Sequence, residues 1–146
     1  MKVVVQRVRE AAVKVEGEQV GSIENGLLLL VGIHREDTGE KLEWMSRKIL
    51  NLRVFDDDDG KMNYSVEDVG GELLVVSQFT LYGDARKGNR PSYIEAAGPE
   101  KAEEIYDEMI TYFRSNSGIT VQSGVFGAEM DVSLVNDGPV TIILEN

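Results

Sequence analysis

The chain has 146 residues, of which 42% are apolar, and it carries a formal charge of −11. This length and apolar content predict one globular domain over residues 1–146 with one core. The lack of cysteine excludes disulfides, thiolate nucleophiles and cysteine-ligated metals. The negative charge argues against non-specific attraction to nucleic acid. Its apolar runs are too short for a signal peptide or membrane span, so a cytoplasmic location is expected.

The first third of the chain predicts four strands joined by tight turns, at residues 2–8, 11–15, 19–23 and 27–33. Asn25-Gly26 tolerates the positive φ angles of a two-residue hairpin, so the third and fourth strands are expected to pair antiparallel. The run Leu27 to Val31 shows no polar alternation, which predicts a central strand buried on both faces.

The rest of the chain predicts two helices and three further strands. Apolar residues recur at three- and four-residue spacing over residues 38–51, which indicates an amphipathic helix. A second helix is expected to begin at Pro99 and to end before Gly118. The remaining strands are expected at residues 72–79, 131–136 and 140–145. This order predicts an α+β fold with a mostly antiparallel or mixed sheet, and not a doubly wound one.

His34 is the only histidine of the chain. A histidine metal cluster is therefore excluded, and any Ser-His-Asp arrangement would depend on this residue. His34 follows a buried strand, and we interpret it as a structural residue at a strand end in preference to a catalytic one. Nucleophile-elbow, P-loop and dinucleotide motifs are absent.

Two polar segments interrupt apolar stretches. Ser77-Gln78-Phe79-Thr80 follows the apolar stretch 73–76, and a strand that ends in polar residues is a common way to present a site on a rigid element. From composition alone, however, a plain strand-to-turn passage is favoured. Residues 136–141, Asn-Asp-Gly-Pro-Val-Thr, are ordinary turn residues, and they predict a hairpin between the last two strands.

The densest basic stretch lies between residues 86 and 93 and contains Arg86, Lys87 and Arg90. With its glycine and proline it is interpreted as a loop that contacts phosphate locally, and simple solvation accounts for these charges equally well.

The motifs SQFTLYGD and NDGPVT, in this order and separated by a helix and the stretch GVFGAEM, resemble the paired signatures of the D-aminoacyl-tRNA deacylase (D-tyrosyl-tRNA(Tyr) deacylase) family. The likeness covers essentially the whole chain. It implies a hydrolase of translation quality control that cleaves the ester between a D-amino acid, or mischarged glycine, and the 3′ end of tRNA.

The resemblance also implies a site. The catalytic pocket would consist of Ser77, Gln78, Phe79 and Thr80, with Met130 lining it. Gly138-Pro139 would be cis and would reach into the partner's active site in a homodimer with a barrel-like assembly. Its backbone would reject L-amino acids, which is chiral proofreading by exclusion.

No metal or organic cofactor is implied by the resemblance, and RNA contact is expected through Arg86, Lys87 and Arg90. Thr80 matches a proposed nucleophile of the family, but no histidine base for it is evident. We therefore favour assistance by the 2′-hydroxyl of the terminal adenosine. The alternative is a dimer that binds the acceptor end without catalysis, and a further alternative is a protein-interaction module.

Overall fold

The computed structural model describes residues 1–146, which form eight strands and two α-helices. The helices are α1 (Gly39–Leu50) and α2 (Pro99–Asn116), and a short 3-10 helix spans Phe79–Tyr82. The strands are β1 (Lys2–Val15), β2 (Glu18–Ile23), β3 (Gly26–Gly32), β4 (Phe55–Asp56), β5 (Met62–Tyr64), β6 (Glu72–Ser77), β7 (Val121–Ser123) and β8 (Asp131–Glu145). The predicted α+β class with two main helices and a mixed sheet is confirmed.

Six of the strands form one sheet in the order β2-β1-β3-β6-β7, with β8 on the remaining edge of β1. The β3–β6 and β6–β7 pairs are parallel and the other pairs are antiparallel. The sheet curls until β7 approaches β2. At Gly21 an added Cβ atom would lie 2.7 Å from the carbonyl oxygen of Ser123, so glycine permits this close approach. The result is a nearly closed barrel.

The predicted hairpin at Asn25-Gly26 is wrong. Strands β2 and β3 do not pair with each other, because both pair antiparallel with β1 along the same edge. The hairpin instead lies at Glu16-Gly17, where both residues have positive φ, 51° and 81°. Gly26 has a different role, since a Cβ there would clash with the backbone of Glu72 in the neighbouring strand.

The predicted hairpin at residues 136–141 is also wrong. Strand β8 runs antiparallel to β1 along nearly its whole length, and the predicted strands 2–8 and 11–15 likewise form one strand. Val8 pairs with Asn136 and Gln6 with Thr141, so four residues of β8 face a single residue of β1. Residues 136–141 therefore form an enlarged bulge, called the Gly-Pro bulge below.

The apolar residues form a core of 24 buried side chains beneath the two helices and a second core of seven inside the barrel. Strand β3 contributes to both cores, because Leu27 and Leu29 belong to the first and Leu28 to the second. This confirms the central strand buried on both faces. The predicted helical stripes are also buried, with Met45, Ile49, Met109 and Phe113 fully enclosed. Neither helix combines the length and the apolar character that a membrane span requires.

Candidate active site

A cavity of about 570 Å³ opens where β3 and β6 end. It is lined by Ser77 at the end of β6, by Gln78 and Phe79 directly after it, by Met130 before β8, and by the start of α2. Twelve of its sixteen lining residues are apolar, so the few polar groups that reach it are the ones able to orient a substrate. The cavity thus unites four of the residues proposed from the sequence.

The segment Ser77–Thr80, called the polar strand end below, leaves the sheet at the cavity. Gln78 donates its backbone N–H to the carbonyl oxygen of Val31 at 2.7 Å. This is the last backbone hydrogen bond between β6 and β3. Strand β6 thus ends at Ser77, two residues before the predicted strand end at Phe79, where the 3-10 helix begins instead. The first bond of that helix runs from the N–H of Leu81 to the oxygen of Gln78, so the N–H groups of Phe79 and Thr80 have no intrahelical acceptor.

Thr80 lies beside the cavity and does not line it. Its hydroxyl accepts a hydrogen bond from the side-chain amide of Gln78. The tight seat of the 3-10 helix depends on Gly32, because a Cβ there would lie 3.1 Å from Cβ of Leu81 and 3.2 Å from the oxygen of Gln78. A glycine at the end of β3 therefore fixes where the polar strand end turns.

The opposite wall of the cavity comes from residues 92–97. Tyr93 contacts Phe79 edge-to-face with ring centroids 5.1 Å apart, and Ala97 donates its N–H to the oxygen of Ile33 at 2.9 Å. At 57% exposure Phe79 is open to solvent, so this aromatic pair borders the mouth of the cavity.

His34 holds this wall in place and does not reach the cavity. Its Nε2 lies 2.8 Å from Oε2 of Glu95, and its Nδ1 accepts the backbone N–H of Glu36 at 3.1 Å. The second carboxylate oxygen of Glu95 contacts Arg35 at 3.3 Å. With Nδ1 as acceptor, Nε2 carries the proton and donates it to the carboxylate. Neither ring nitrogen is free to act as a base, which supports the structural interpretation of His34.

The Gly-Pro bulge lies away from the cavity within the chain. Its Gly138–Pro139 peptide bond is cis, as the resemblance implied. The bulge faces Arg7 of β1, whereas Ser77 is level with Val31 of β3 and hence with Val3 of β1. Four residues along β1 and three strand steps across the sheet separate the two segments. Neither Gly138 nor Pro139 is among the residues that line the cavity.

The bulge is braced from within by Asn136 and Arg7. The Asn136 amide donates to the carbonyl oxygens of Arg7 and Val140, at 2.9 and 3.0 Å. The buried Arg7 guanidinium donates to the oxygen of Val54 at 2.7 Å, and its Nε lies 3.2 Å from a carboxylate oxygen of Asp137. That ion pair is close but is not aligned as a hydrogen bond, so Nε lacks a good acceptor. Gly138 has φ +112°, and a Cβ there would lie 2.9 Å from the Arg7 guanidinium.

The three basic residues proposed to contact RNA lie on one exposed loop, residues 85–91, called the basic loop below. Its base is fixed by two backbone hydrogen bonds between Asp84 and Ser92, at 2.8 and 2.9 Å. Arg86 is already paired, since its guanidinium donates to both carboxylate oxygens of Asp84 at 2.9 and 2.7 Å. These bonds lower the pKa of Asp84 to about 2. Lys87 and Arg90 make no ion pair and are exposed.

A profile of the family described as D-Tyr-tRNA(Tyr) deacylase matches residues 4–145. The chain belongs to this deacylase family. The family predicted from the two sequence motifs is thereby confirmed, and with it the assignment to a family of hydrolases.

The proteins that the chain is similar to match over nearly their full lengths. A D-aminoacyl-tRNA deacylase of Chlorobaculum parvum is 60% identical over 146 residues, covering 100% of this chain and 98% of the relative. One of Brevibacillus brevis is 58% identical and covers 100% of both chains. A solved structure described as c-Myc DNA Unwinding Element Binding Protein is 49% identical with a TM-score of 0.95, covering 100% and 99%. A probable eukaryotic D-amino acid tRNA deacylase, at 18% identity and a TM-score of 0.81 over 98% and 97%, shares the fold.

Several residues that line the cavity or brace the Gly-Pro bulge were not found from the sequence. Tyr93 and Ala97 lie in an irregular segment without periodicity, and nothing local links them to a cavity. Arg7 did carry a signal, because it continues the alternation of Val3 and Val5 and therefore points inward. A charged residue at an inward position indicates a buried partner, here the Gly-Pro bulge.

Proposed function

We propose that the chain hydrolyses the ester between a D-amino acid and the 3′ end of tRNA, and that the reaction takes place in the cavity beside the polar strand end. The observation that carries this proposal is the set of polar groups at the cavity. Gln78 and the free N–H groups of Phe79 and Thr80 lie next to an apolar chamber. A rigid strand end of this kind holds hydrogen-bond donors in place before the substrate arrives.

The proposed reaction is the addition of water to the ester carbonyl carbon. The carbonyl oxygen becomes an oxyanion, which the N–H groups of Phe79 and Thr80 stabilise. A donor aligned in this way is typically worth about 3 kcal/mol. The bond between the carbonyl carbon and the ribose 3′ oxygen then breaks, and a proton from the water passes to the leaving oxygen. The products are the free amino acid and tRNA with its 3′-hydroxyl.

The 2′-hydroxyl of the terminal adenosine is proposed to carry that proton. A threonine nucleophile needs a base to activate it. The Thr80 hydroxyl accepts a hydrogen bond from Gln78, and both nitrogens of His34 are engaged elsewhere. With no base at Thr80, the neighbouring hydroxyl of the substrate is the better candidate.

Chiral selection is assigned to Gly138–Pro139 of a second copy of the chain. Within one chain the Gly-Pro bulge lies too far from the cavity to touch a substrate there, so a selector at Gly138–Pro139 requires a homodimer. Strand β8 supports such an assembly, because it is an edge strand with exposed apolar side chains. These are Leu134, Val135 and Ile143, the last 66% exposed.

A rigid main-chain wall at the substrate's α-carbon would leave room for hydrogen or a D side chain and would collide with an L side chain. Such a pocket also admits glycine, because a site that excludes L side chains has no means of excluding hydrogen. The proposed role is therefore proofreading of D-amino acids and mischarged glycine, in the cytoplasm with the translation machinery.

Contact with the acceptor end of tRNA is assigned to the basic loop. With a net charge of −11, the protein has no general attraction for RNA, so the contact must be local. Lys87 and Arg90 are the best candidates because their charges are free. Arg86 contributes less as long as Asp84 holds it.

The test is release of tyrosine from D-tyrosyl-tRNA and L-tyrosyl-tRNA, measured in parallel for the wild type and Gln78→Ala. We expect the wild type to hydrolyse only the D-ester. The Gln78 amide has two N–H bonds, of which one donates to Thr80 and the other is left for the substrate. Gln78→Ala should therefore reduce that rate by about 10²-fold, the usual cost of a lost donor at the reacting centre. Binding of both esters without turnover of either would favour a non-catalytic RNA-binding dimer instead.

A further inference from the structure

Gly124 lies against the side chain that forms one wall of the cavity. It follows β7 and donates its backbone N–H to the oxygen of Val75 at 3.0 Å, so its position is fixed by the sheet. A Cβ atom at Gly124 would lie only 2.6 Å from the sulfur of Met130. Real side chains do not tolerate so short a contact. The Met130 thioether therefore occupies the space that any other residue at position 124 would fill.

The surroundings of Met130 determine where its side chain would go if it were displaced. Behind it lies the second core, in which Val13 and Leu74 are fully buried, and Cγ1 of Val13 would be 3.7 Å from the same added Cβ. A close-packed interior leaves no room on that side. The open side is the cavity, which Met130 already lines. A flexible thioether pushed away from position 124 therefore moves into the cavity.

We propose that Gly124 is a positioning residue that acts through Met130: its missing side chain keeps the thioether seated against β7 and leaves the cavity open to the substrate. This inference rests on the proposal that the aminoacyl end of tRNA binds in this cavity. It goes beyond the polar strand end and the Gly-Pro bulge, because Gly124 contributes no group to the chemistry. Its effect is on the volume available for binding.

The experiment compares kcat and KM for D-tyrosyl-tRNA and glycyl-tRNA in four variants. Gly124→Ala should raise KM by at least about fivefold with kcat nearly unchanged, as expected when ground-state and transition-state binding are weakened alike. Gly124→Ala combined with Met130→Ala should restore KM toward that of Met130→Ala alone. Gly118→Ala is the matched control, because a Cβ at Gly118 meets nothing within 4 Å.

The two substrates show which moiety faces Met130. A larger KM increase for the D-tyrosyl ester indicates the amino-acid side chain, and equal increases indicate the nucleoside, which both substrates share. Either pattern supports the inference, provided that the double variant recovers. If Gly124→Ala folds poorly, its Tm supplies the same test. Gly124→Ala should lower the Tm, and adding Met130→Ala should raise it again, because only removal of Met130 relieves the clash.

The inference is overturned if Gly124→Ala leaves KM and Tm unchanged, or if removal of Met130 restores neither. Gln78→Ala, measured alongside, separates this failure from that of the proposed function. If Gln78→Ala lowers turnover while Gly124→Ala has no effect, the cavity remains the active site and only the role of Gly124 is wrong. If neither substitution has an effect, the reaction takes place elsewhere.

Discussion

The polar strand end and the Gly-Pro bulge are both polar breaks in apolar strands, but the fold uses them differently. The polar strand end lies where β6 leaves the sheet, and it faces a cavity built entirely from its own chain. The Gly-Pro bulge lies inside β8. The residues of β8 before and after the bulge pair with β1, and the bulge faces no such cavity. Within one chain, only the first segment therefore faces a cavity, and under our proposal the second would face the cavity of the partner in a homodimer.

The bracing of the two segments differs in the same sense. Backbone bonds of Gln78 to Val31 and Leu81 fix the polar strand end, and its N–H groups at Phe79 and Thr80 remain available. The Gly-Pro bulge is held by the amide of Asn136 and by the ion pair between the buried Arg7 guanidinium and Asp137. Free N–H donors can stabilise the oxyanion of the reaction, and a rigid backbone can exclude the side chain of an L-amino acid. The comparison predicts that damage to the first segment lowers the rate and that damage to the second lowers selectivity.

The largest effect is expected from changing the substrate at the polar strand end. A D-tyrosyl-tRNA with a 2′-deoxy terminal adenosine should react about 10²–10⁴-fold more slowly, the range attributed to a positioned proton carrier. Thr80→Ala should stay within about threefold of wild type on the normal ester, since Thr80 has no base to activate it. Single-turnover rates of ester cleavage measure both. Normal turnover of the deoxy substrate together with an inactive Thr80→Ala would make Thr80 the nucleophile.

An intermediate effect is expected from loosening the Gly-Pro bulge. Asn136→Ala leaves the carbonyl groups of Arg7 and Val140 without their donor, which should cost about 1–3 kcal/mol of stability. The ratio of D-ester to L-ester turnover should fall, while the D-ester rate changes little. Chemical denaturation and parallel rate measurements on the two esters test these effects.

Asn116→Ala is the matched control for that substitution, because the Asn116 amide donates to one carbonyl oxygen at the exposed end of α2. It should leave selectivity unchanged. A selectivity ratio that is the same in Asn136→Ala and in the wild type would show that the bulge does not discriminate between the esters.

The smallest effect is expected at the basic loop, outside both segments. Asp84→Asn removes the carboxylate that neutralises Arg86, so KM for aminoacyl-tRNA should fall about two- to threefold and its salt dependence should steepen by about one charge. The pKa of Asp84 is lowered to about 2, so the pair is complete above its ordinary pKa near 4 and is lost only as the pH falls toward 2. The difference between variant and wild type should therefore be constant from pH 6 to 8, and an unchanged salt slope would remove the basic loop from the RNA contact.

The sequence predicted elements whose cause is local. The run Leu27–Val31 reveals a strand buried on both faces, and helical spacing reveals the stripes of α1 and α2, because hydrophobic periodicity directly reflects burial. The abrupt change of residue type after Val76 also marked the polar strand end, although composition alone favoured a plain strand-to-turn passage and only the resemblance implied a site there. The family followed from two motifs in a fixed order.

The sequence misled where a residue serves a distant partner. Gly26 has the chemistry of a turn, but it is glycine because the backbone of Glu72 passes over it. Residues 136–141 have the composition of a hairpin. The residues before and after them both pair with β1, however, so the chain continues as one extended strand. His34 owes its role to Glu95, 61 residues further along the chain. Single-sequence patterns contain no information about such partners.

The most direct test of the central claim, that a second copy of the chain completes the site, is complementation between two damaged variants. Gln78→Ala and Gly138→Ala are assayed separately and then after mixing under conditions that exchange subunits, with the D- and L-tyrosyl esters. A mixed dimer contains one site with both native segments and one with neither. After statistical exchange about a quarter of all sites carry both native segments, so D-ester turnover should stay near the average of the separate variants while L-ester turnover falls to about half of that average. L-ester turnover in the mixture that equals the average of the separate variants would contradict the claim.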